Sequence, residues 1–502
     1  MEIKKLTKLD IVTRIEGNAK VTIALNDQGE AEYATLHVLE LRGFEKIMEG
    51  MEADKMPLIT ARICGICPVS HQLASVKALE HAYGIEPPKA AKMLRELMTM
   101  GQCINSHGLH LVAIGGPDFL MDEHTTRLER NINGLLRIRP DLAKRGLRLR
   151  ALGQIITEEI GGRSIHPIAA TVGGIKFICT TELREKLKEI CQEAFDLAKF
   201  LIKEIKGPIC KFIENTSEIK METLYMGTVD EDDALNLYNG RLKVIDANGK
   251  PANLVSRSGE TNSSGYLDCS QYDDYIIEKN LNGVYIEDIE KYLGKDTKEI
   301  YGSYMKGTYL RTTKGEEIYR VNSLARLNCA TKIKTKEAQK EFEEFKNNYG
   351  KPCHKTALFY YARAIELLYA CERALELILD DAIIGDNFIP VVNRTAGRGV
   401  GHVEAPRGTL IHDYRIGENQ TIEKVNLLVA TQQNYSAINM TMLQAYKKFR
   451  IDNLSDEQIG DKVESCLRCY DPCLSCATHA VGKSGLEIFI TKENRLVRHI
   501  RL

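Results

Sequence analysis

Cys64 and Cys67, in Arg62-Ile63-Cys64-Gly65-Ile66-Cys67, form one Cys-x-x-Cys pair, and Cys473 and Cys476, in Asp471-Pro472-Cys473-Leu474-Ser475-Cys476, form another. Two intervening residues let the chain turn back on itself, so both thiolates of a pair can reach one metal. Two such pairs make a four-thiolate site. Soft sulfur ligands select zinc, iron–sulfur, copper(I) or nickel and iron chemistry over magnesium or calcium. About 400 residues separate the pairs, which argues against a local zinc knuckle. The fold must instead bring the two ends of the chain together around the metal.

The elements that could do this follow from the patterning. Residues 10–40 alternate in a strand-like way, with Val21, Ile23 and Leu25 leading into an Asn26–Gly29 turn and a second strand over Ala31–Leu36. From about Phe44 the period becomes helical. His71–Glu80, Met93–Ile114 and Leu183–Glu204 read as helices, Thr335–Tyr349 as a charged, exposed one, and Thr356–Ala382 as a long, largely buried one. Residues from about 220 to 325 are rich in Tyr, Asp, Asn, Gly and β-formers and read as a β-rich insertion. The expected class is α+β, mainly helical. A long helical bundle core carries β-rich N-terminal and inserted segments, and a metal site joins the two ends, all within one domain over 1–502.

At 502 residues the chain can bury a large core, and its 43% hydrophobic and 27% charged content is ordinary for a globular protein. A net charge of −1, from 68 basic and 69 acidic residues, gives no support to a nucleic-acid partner. The first residues show no apolar stretch of a secretory signal, and no apolar run reaches the length of a membrane span. The 14 cysteines therefore read as reduced thiols in a cytoplasmic protein.

Further motifs follow in order: Thr13-Arg14-Ile15-Glu16-Gly17, Arg42-Gly43-Phe44-Glu45, His166-Pro167, Gly173-Gly174, Ala325-Arg326-Leu327-Asn328 and Glu404-Ala405-Pro406-Arg407-Gly408. With the two cysteine motifs they resemble the large, catalytic subunit of nickel–iron hydrogenases over nearly the whole chain. Asn105-Ser106-His107, Pro68-Val69-Ser70-His71 and Val429-Ala430-Thr431 are similar to the cytoplasmic, bidirectional, NAD-linked branch. Asn18 stands where the family usually has His, and Ser106 where better-known members have Asp.

The resemblance implies reversible cleavage of H2 at a Ni–Fe centre whose iron carries CO and CN⁻. All four cysteines would bind nickel. Cys67 and Cys476 would also bridge to iron, Cys64 and Cys473 would be terminal, and Cys473 would be the first proton acceptor. Glu16 would be the next relay; by itself it reads rather as a buried ion-pair partner of Arg14 or another arginine. Arg407 would lie over the open metal position; by itself it could pair with Glu404. Asp471 would brace Arg407, or cap a helix at Pro472. Val429, Ala430 and Thr431 would cradle an iron cyanide, with the Thr431 hydroxyl donating to it. Glu45, the Leu427 carbonyl and His479 match a Mg²⁺ site.

Implied partners are an iron–sulfur small subunit, because this chain has no further Fe–S ligand set, and then flavin and iron–sulfur subunits that use NAD(H). A maturation endopeptidase is expected to remove residues 480–502. Cys466 and Cys469 form an extra Cys-x-x-Cys that reads as small buried packing residues. Three other readings compete. A structural zinc site would need no Arg407 or Glu16. A related subunit of the respiratory-complex type would lack the four cysteines. An H2 sensor would share the chemistry.

Overall fold

The computed structural model describes residues 14–17, 19–25, 30–38, 43–122, 125–280, 305–391, 394–452, 454–474, 476, 487–492 and 495–501. Asn18, the 26–29 turn and His479 lie outside them.

The core is a bundle of helices. α1 (Pro68–Tyr83) starts directly after the first cysteine pair, with Cys67 at its N-cap and Pro68 at its first position, where the missing N–H costs nothing. It ends on Gly84 in the left-handed region. α2 (Lys89–Leu109), α3 (Pro140–Gly161) and α4 (Thr181–Asn215) follow, the last running through Pro208 and past the Glu204 end read from sequence. α5 (Ser323–Cys329), α6 (Lys336–Tyr349) and the almost wholly buried α7 (Leu358–Leu379) come next, and α8 (Asp456–Arg468) leads into the second cysteine pair. α2 packs on α3 and α7, and α4 on α3 and α7. The α2–α3 crossing is glycine on glycine. A Cβ at Gly101 would meet Ile156 Cγ2 at 2.9 Å, and one at Gly153 would meet the Asn105 amide at 2.5 Å. Any side chain there would push the helices apart. α6 departs from the expected exposed helix, because Ala338, Phe342 and Phe345 bury one face.

Sheets decorate the bundle. β1 (Ala19–Leu25) and β2 (Ala31–Val38) pair antiparallel. The insertion carries β3 (Leu224–Val229), β4 (Arg241–Ile245), β5 (Ile276–Asn280) and β6 (Lys306–Thr312), with shorter strands between them. β7 (Gly397–Ala405), β8 (Gly408–Ile416) and β9 (Ile422–Leu428) form a three-stranded meander, and β7 lies against α1. β10 (Glu487–Lys492) and β11 (Arg495–Arg501) form a C-terminal hairpin, whose first strand adds parallel to β1. No helix among the described residues is long and apolar enough to cross a membrane.

Candidate metal centre

Two local structures carry the cysteines to one place. The first pair leads into the N-terminus of α1, where the Ile66 and Cys67 amides each donate to Cys64 Sγ at 3.3 Å. Donors aimed at sulfur favour the thiolate. The second pair follows α8 in irregular chain. Leu474 N donates to the Glu16 carbonyl at 2.8 Å, and Glu16 and Cys473 form a parallel bridge, so the N-terminal and C-terminal motifs touch through backbone.

The four sulfurs of Cys64, Cys67, Cys473 and Cys476 all lie within 4.8 Å of one another and are buried. Cys64 Sγ is 3.5 Å from Cys473 Sγ, Cys67 Sγ is 3.5 Å from Cys476 Sγ, and Cys473 and Cys476 are 2.7 Å apart. Hydrogen bonds from Cys473, Cys476 and Cys67 hold the Cys64 thiol well below its ordinary pKa. Burial, followed by its sulfur neighbours, pushes Cys473 up. A thiol-rich, water-poor cluster of this kind suits a soft metal bound through thiolates.

Glu16 faces the cluster. Cys473 Sγ donates to Glu16 Oε2 at 3.1 Å. Arg14, which the sequence alone could pair with Glu16, instead donates to Asp118 Oδ1 at 2.6 Å and to the Ile114 carbonyl at 2.7 Å. The Thr431 hydroxyl oxygen accepts from the Cys473 amide at 3.0 Å. A hydroxyl that accepts through its oxygen still has its proton to donate. Val429 and Ala430 precede it at the start of a short helix, Ala430–Gln433, and all three are buried.

Arg407 occupies the second place of a two-residue turn, Pro406-Arg407, between β7 and β8, where Ala405 pairs with Gly408. Gly408 has φ of +132°, and a Cβ on it would meet Val321 Cγ2 at 2.5 Å, so this turn demands glycine. Arg407 Nε donates to the Asp471 carbonyl at 2.9 Å and Nη2 to Asp471 Oδ1 at 3.2 Å. Burial opposes the guanidinium charge, but Asp471 and the sulfurs of Cys473, Cys67 and Cys64 outweigh it and hold Arg407 well above its ordinary pKa. Asp471 is raised by burial in spite of Arg407 and Arg363. It sits at φ of +51°, and no helix begins at Pro472 in the described chain, so its side chain braces Arg407 rather than capping a helix.

Glu404, which the sequence alone could pair with Arg407, belongs to a separate buried cluster whose pairings no sequence motif showed. Arg326 Nη1 donates to Glu404 Oε2 at 2.9 Å, and Arg326 Nε and Nη2 grip Glu366 at 2.6 Å each. The same guanidinium donates to the carbonyls of Ala405 at 2.9 Å and Pro406 at 3.1 Å, fixing the turn that presents Arg407. Glu366 Oε2 lies 3.0 Å from His107 Nε2. Against the effect of burial, Arg326 holds Glu366 down at about 2, and burial holds His107 down at about 4. The Asn105-Ser106-His107 stretch was the available signal, but the partners of His107 lie far away in sequence.

Glu45 Oε1 accepts from the Leu427 amide at 3.1 Å, which puts these two candidate cation ligands together; His479 is outside the described residues. Cys466 and Cys469 are buried free thiols apart from the cluster, and Cys469 Sγ donates to the Ser465 carbonyl at 3.4 Å.

Two orphaned atoms test whether the site fits a nickel–iron group. Arg407 Nη1 and Asp471 Oδ2 are buried with no hydrogen-bond partner among the described residues. Such a donor beside four sulfurs is costly unless something further accepts from it. The donor set and the unused guanidinium N–H fit a group that carries acceptor ligands.

Comparison with known proteins settles the class. The nickel-dependent hydrogenase family profile matches residues 42–127 and 147–479, and a HoxL-like profile matches 7–41, so the chain belongs to the nickel-dependent hydrogenase family as a large subunit. One subunit of the vhc F420-non-reducing hydrogenase of Methanococcus voltae is 35% identical over 98% of this chain and 100% of that protein. The beta subunit of the NAD-reducing hydrogenase HoxS of Cupriavidus necator is 32% identical over 96% of each. A crystal structure of an NAD⁺-reducing [NiFe]-hydrogenase in the H2-reduced state superimposes with a TM-score of 0.82 at 31% identity, covering 95% of this chain and 100% of that one. A Ni-Fe-Se hydrogenase from D. vulgaris Hildenborough shares the fold, with a TM-score of 0.67 at 22% identity and coverage of 94% and 99%.

Proposed function

We propose that this chain is the H2-activating subunit of a cytoplasmic [NiFe]-hydrogenase that splits H2 reversibly into two protons and two electrons and passes the electrons through an iron–sulfur small subunit to NAD(H)-linked flavin subunits. The observation that carries this reading is the 3.1 Å contact from Cys473 Sγ to Glu16 Oε2 at the edge of a buried four-sulfur cluster. A structural zinc site has no use for a carboxylate placed to take a thiol proton.

Cys64, Cys67, Cys473 and Cys476 would hold the nickel–iron group. When bound, the group supplies the centre at which the H–H electron pair is taken up and sent on, with CO and CN⁻ tuning the iron. The chain's own residues handle the rest. The Cys473 sulfur takes the proton, and its S–H points at Glu16 Oε2, the next acceptor. Arg407, which stays protonated, has an N–H without a partner among the described residues, free to meet and polarise what enters beside the sulfurs. Asp471 holds that guanidinium through two hydrogen bonds. Thr431 fixes Cys473 through its amide, and its hydroxyl proton, beside Val429 and Ala430, would be available to the bound group. Glu45 and the Leu427 carbonyl, with His479, would complete a Mg²⁺ site.

Electrons must leave where the cluster comes nearest the surface. Gly65 is exposed, and His166 Nδ1 is 2.7 Å from the Ala61 carbonyl beside it. The adjoining surface shows Ile165, Ile178, Phe388 and Ile389 at 51%, 76%, 40% and 42% exposure, with Ile389 N bonded to the Gly173 carbonyl. This is the face on which the small subunit would dock. Residues 480–502 would be removed by an endopeptidase once the metals are in place.

Glu16→Gln tests the reading in the assembled enzyme. H2 oxidation should fall at least about a hundredfold while nickel content is unchanged. Unchanged turnover would refute the relay. Offering NAD⁺ and other acceptors to the complex purified with its own partners tests the electron route.

A further inference from the structure

The segment bearing Glu16 and the segment bearing Cys473 come from opposite ends of the chain, yet a proton must cross a single 3.1 Å gap between them. One carboxylate ties both. Asp118 lies in the short helix Gly116–Leu120, and its side chain is only 1% exposed. Its Oδ1 accepts from Arg14 Nη2 at 2.6 Å and from Arg468 Nη2 at 2.9 Å, and its Oδ2 accepts from Arg468 Nε at 2.6 Å. Arg14 stands two residues before Glu16. Arg468 ends α8, five residues before Cys473. Both arms are secured a second time: Arg14 Nη1 donates to the Ile114 carbonyl at 2.7 Å, and Arg468 Nη1 donates to Glu464 Oε2 at 2.8 Å. Glu464 in turn accepts from Arg127 Nη2 at 2.9 Å.

We infer that Asp118, through Arg14 and Arg468, is the positioning residue that sets the Glu16–Cys473 proton-transfer distance. The inference rests on the reading of Glu16 as the proton acceptor. A forked pair of guanidiniums on one carboxylate is directional and stiff in a way a single contact is not. Asp118 itself is no relay. Although burial would raise it, the two guanidiniums hold it down at about 2, so it stays ionised and takes no proton from Glu16. Its contribution is placement, and in a buried transfer a displacement of about 1 Å can cost on the order of a hundredfold in rate.

Arg14→Gln is the sharper variant, because Asp118 keeps its bidentate partner Arg468 and no carboxylate is left bare. In the assembled holoenzyme, kcat for H2 oxidation should fall at least about tenfold, KM for H2 should hold, and the solvent deuterium effect on kcat should grow. Nickel content and the infrared bands of the metal ligands should match the parent. Arg14→Lys should recover part of the rate, since it restores charge but not the fork. Asp118→Asn should lose more than Arg14→Gln. Parent-like kcat and isotope effect in Arg14→Gln would overturn the inference, and so would loss of nickel together with activity, which would mark a merely structural tie. Glu16→Gln run alongside separates the two readings. If it turns over normally, the relay itself fails; if it is inactive while Arg14→Gln is normal, only the positioning role fails.

Discussion

Arg407 donates twice to Asp471, from Nε to the backbone carbonyl at 2.9 Å and from Nη2 to Oδ1 at 3.2 Å, and among the described residues its Nη1 has no partner. A residue on a strand turn is thereby locked to the residue two positions before Cys473. The guanidinium cannot swing away from the sulfurs without breaking both bonds.

Arg407→Lys keeps the charge but loses the fork, so turnover should fall at least about a hundredfold with the metals still bound. Asp471→Asn keeps the Oδ1 acceptor and the backbone contact, so its loss should be smaller, about tenfold. Steady-state rates with nickel and iron analysis on the same samples check both. Equal, small losses would mean that Arg407 does not act at the metal.

The Arg326 cluster serves stability and placement together. Arg326, Glu366 and Glu404 are fully buried, and Arg326 bridges the two acids. Arg326→Met should leave two uncompensated buried carboxylates and cost about 3–5 kcal/mol of stability. Arg326→Lys should cost less but still loosen the Ala405 and Pro406 carbonyls, lowering activity more than stability. Unfolding curves set against activity would reveal that split. Equal stability of Arg326→Met and the parent would contradict it.

Acid should destabilise the metal-free precursor early. Burial keeps His107 at about 4 and His402 at about 3, below the ordinary value of 6.5. Between pH 6.5 and those values the unfolded chain binds protons that the folded chain refuses, so stability falls as pH falls, by up to ~1.4 kcal/mol per pH unit for each histidine. Below about 4.5, Glu366 and Asp118, both held at about 2 by arginines, add to the loss in the same direction. Denaturant midpoints from about pH 7 to 4 measure this, and His402→Gln should show a shallower slope. A flat profile between about pH 6.5 and 4.5 would contradict it.

Much of the site was legible because its residues sit in short, local motifs. The two cysteine pairs, Glu16 within Arg14–Gly17 and Arg407 beside Pro406 could be read from such motifs. The helical core was legible from periodicity. The buried ion clusters were not, because Arg326–Glu366 and Arg14–Asp118 are tertiary pairs that no sequence window contains. The first strand of the β7–β9 meander was not legible, since Gly397–Ala405 mixes Gly, His and Glu and is buried by α1 rather than by alternation. The inner face of α6 was visible in Ala338, Phe342 and Phe345, but the surrounding charges hid it.

Every role proposed for Glu16, Arg407, Asp471 and Thr431 depends on the four cysteines holding a nickel–iron group. Elemental analysis of the purified, assembled protein tests this, with an infrared spectrum of the same sample and the intact mass of this chain. About one nickel and one iron per chain are expected, with bands from metal-bound CO and CN⁻ and a C-terminus at His479. Zinc, with no such bands in a chain of that processed length, would contradict the assignment.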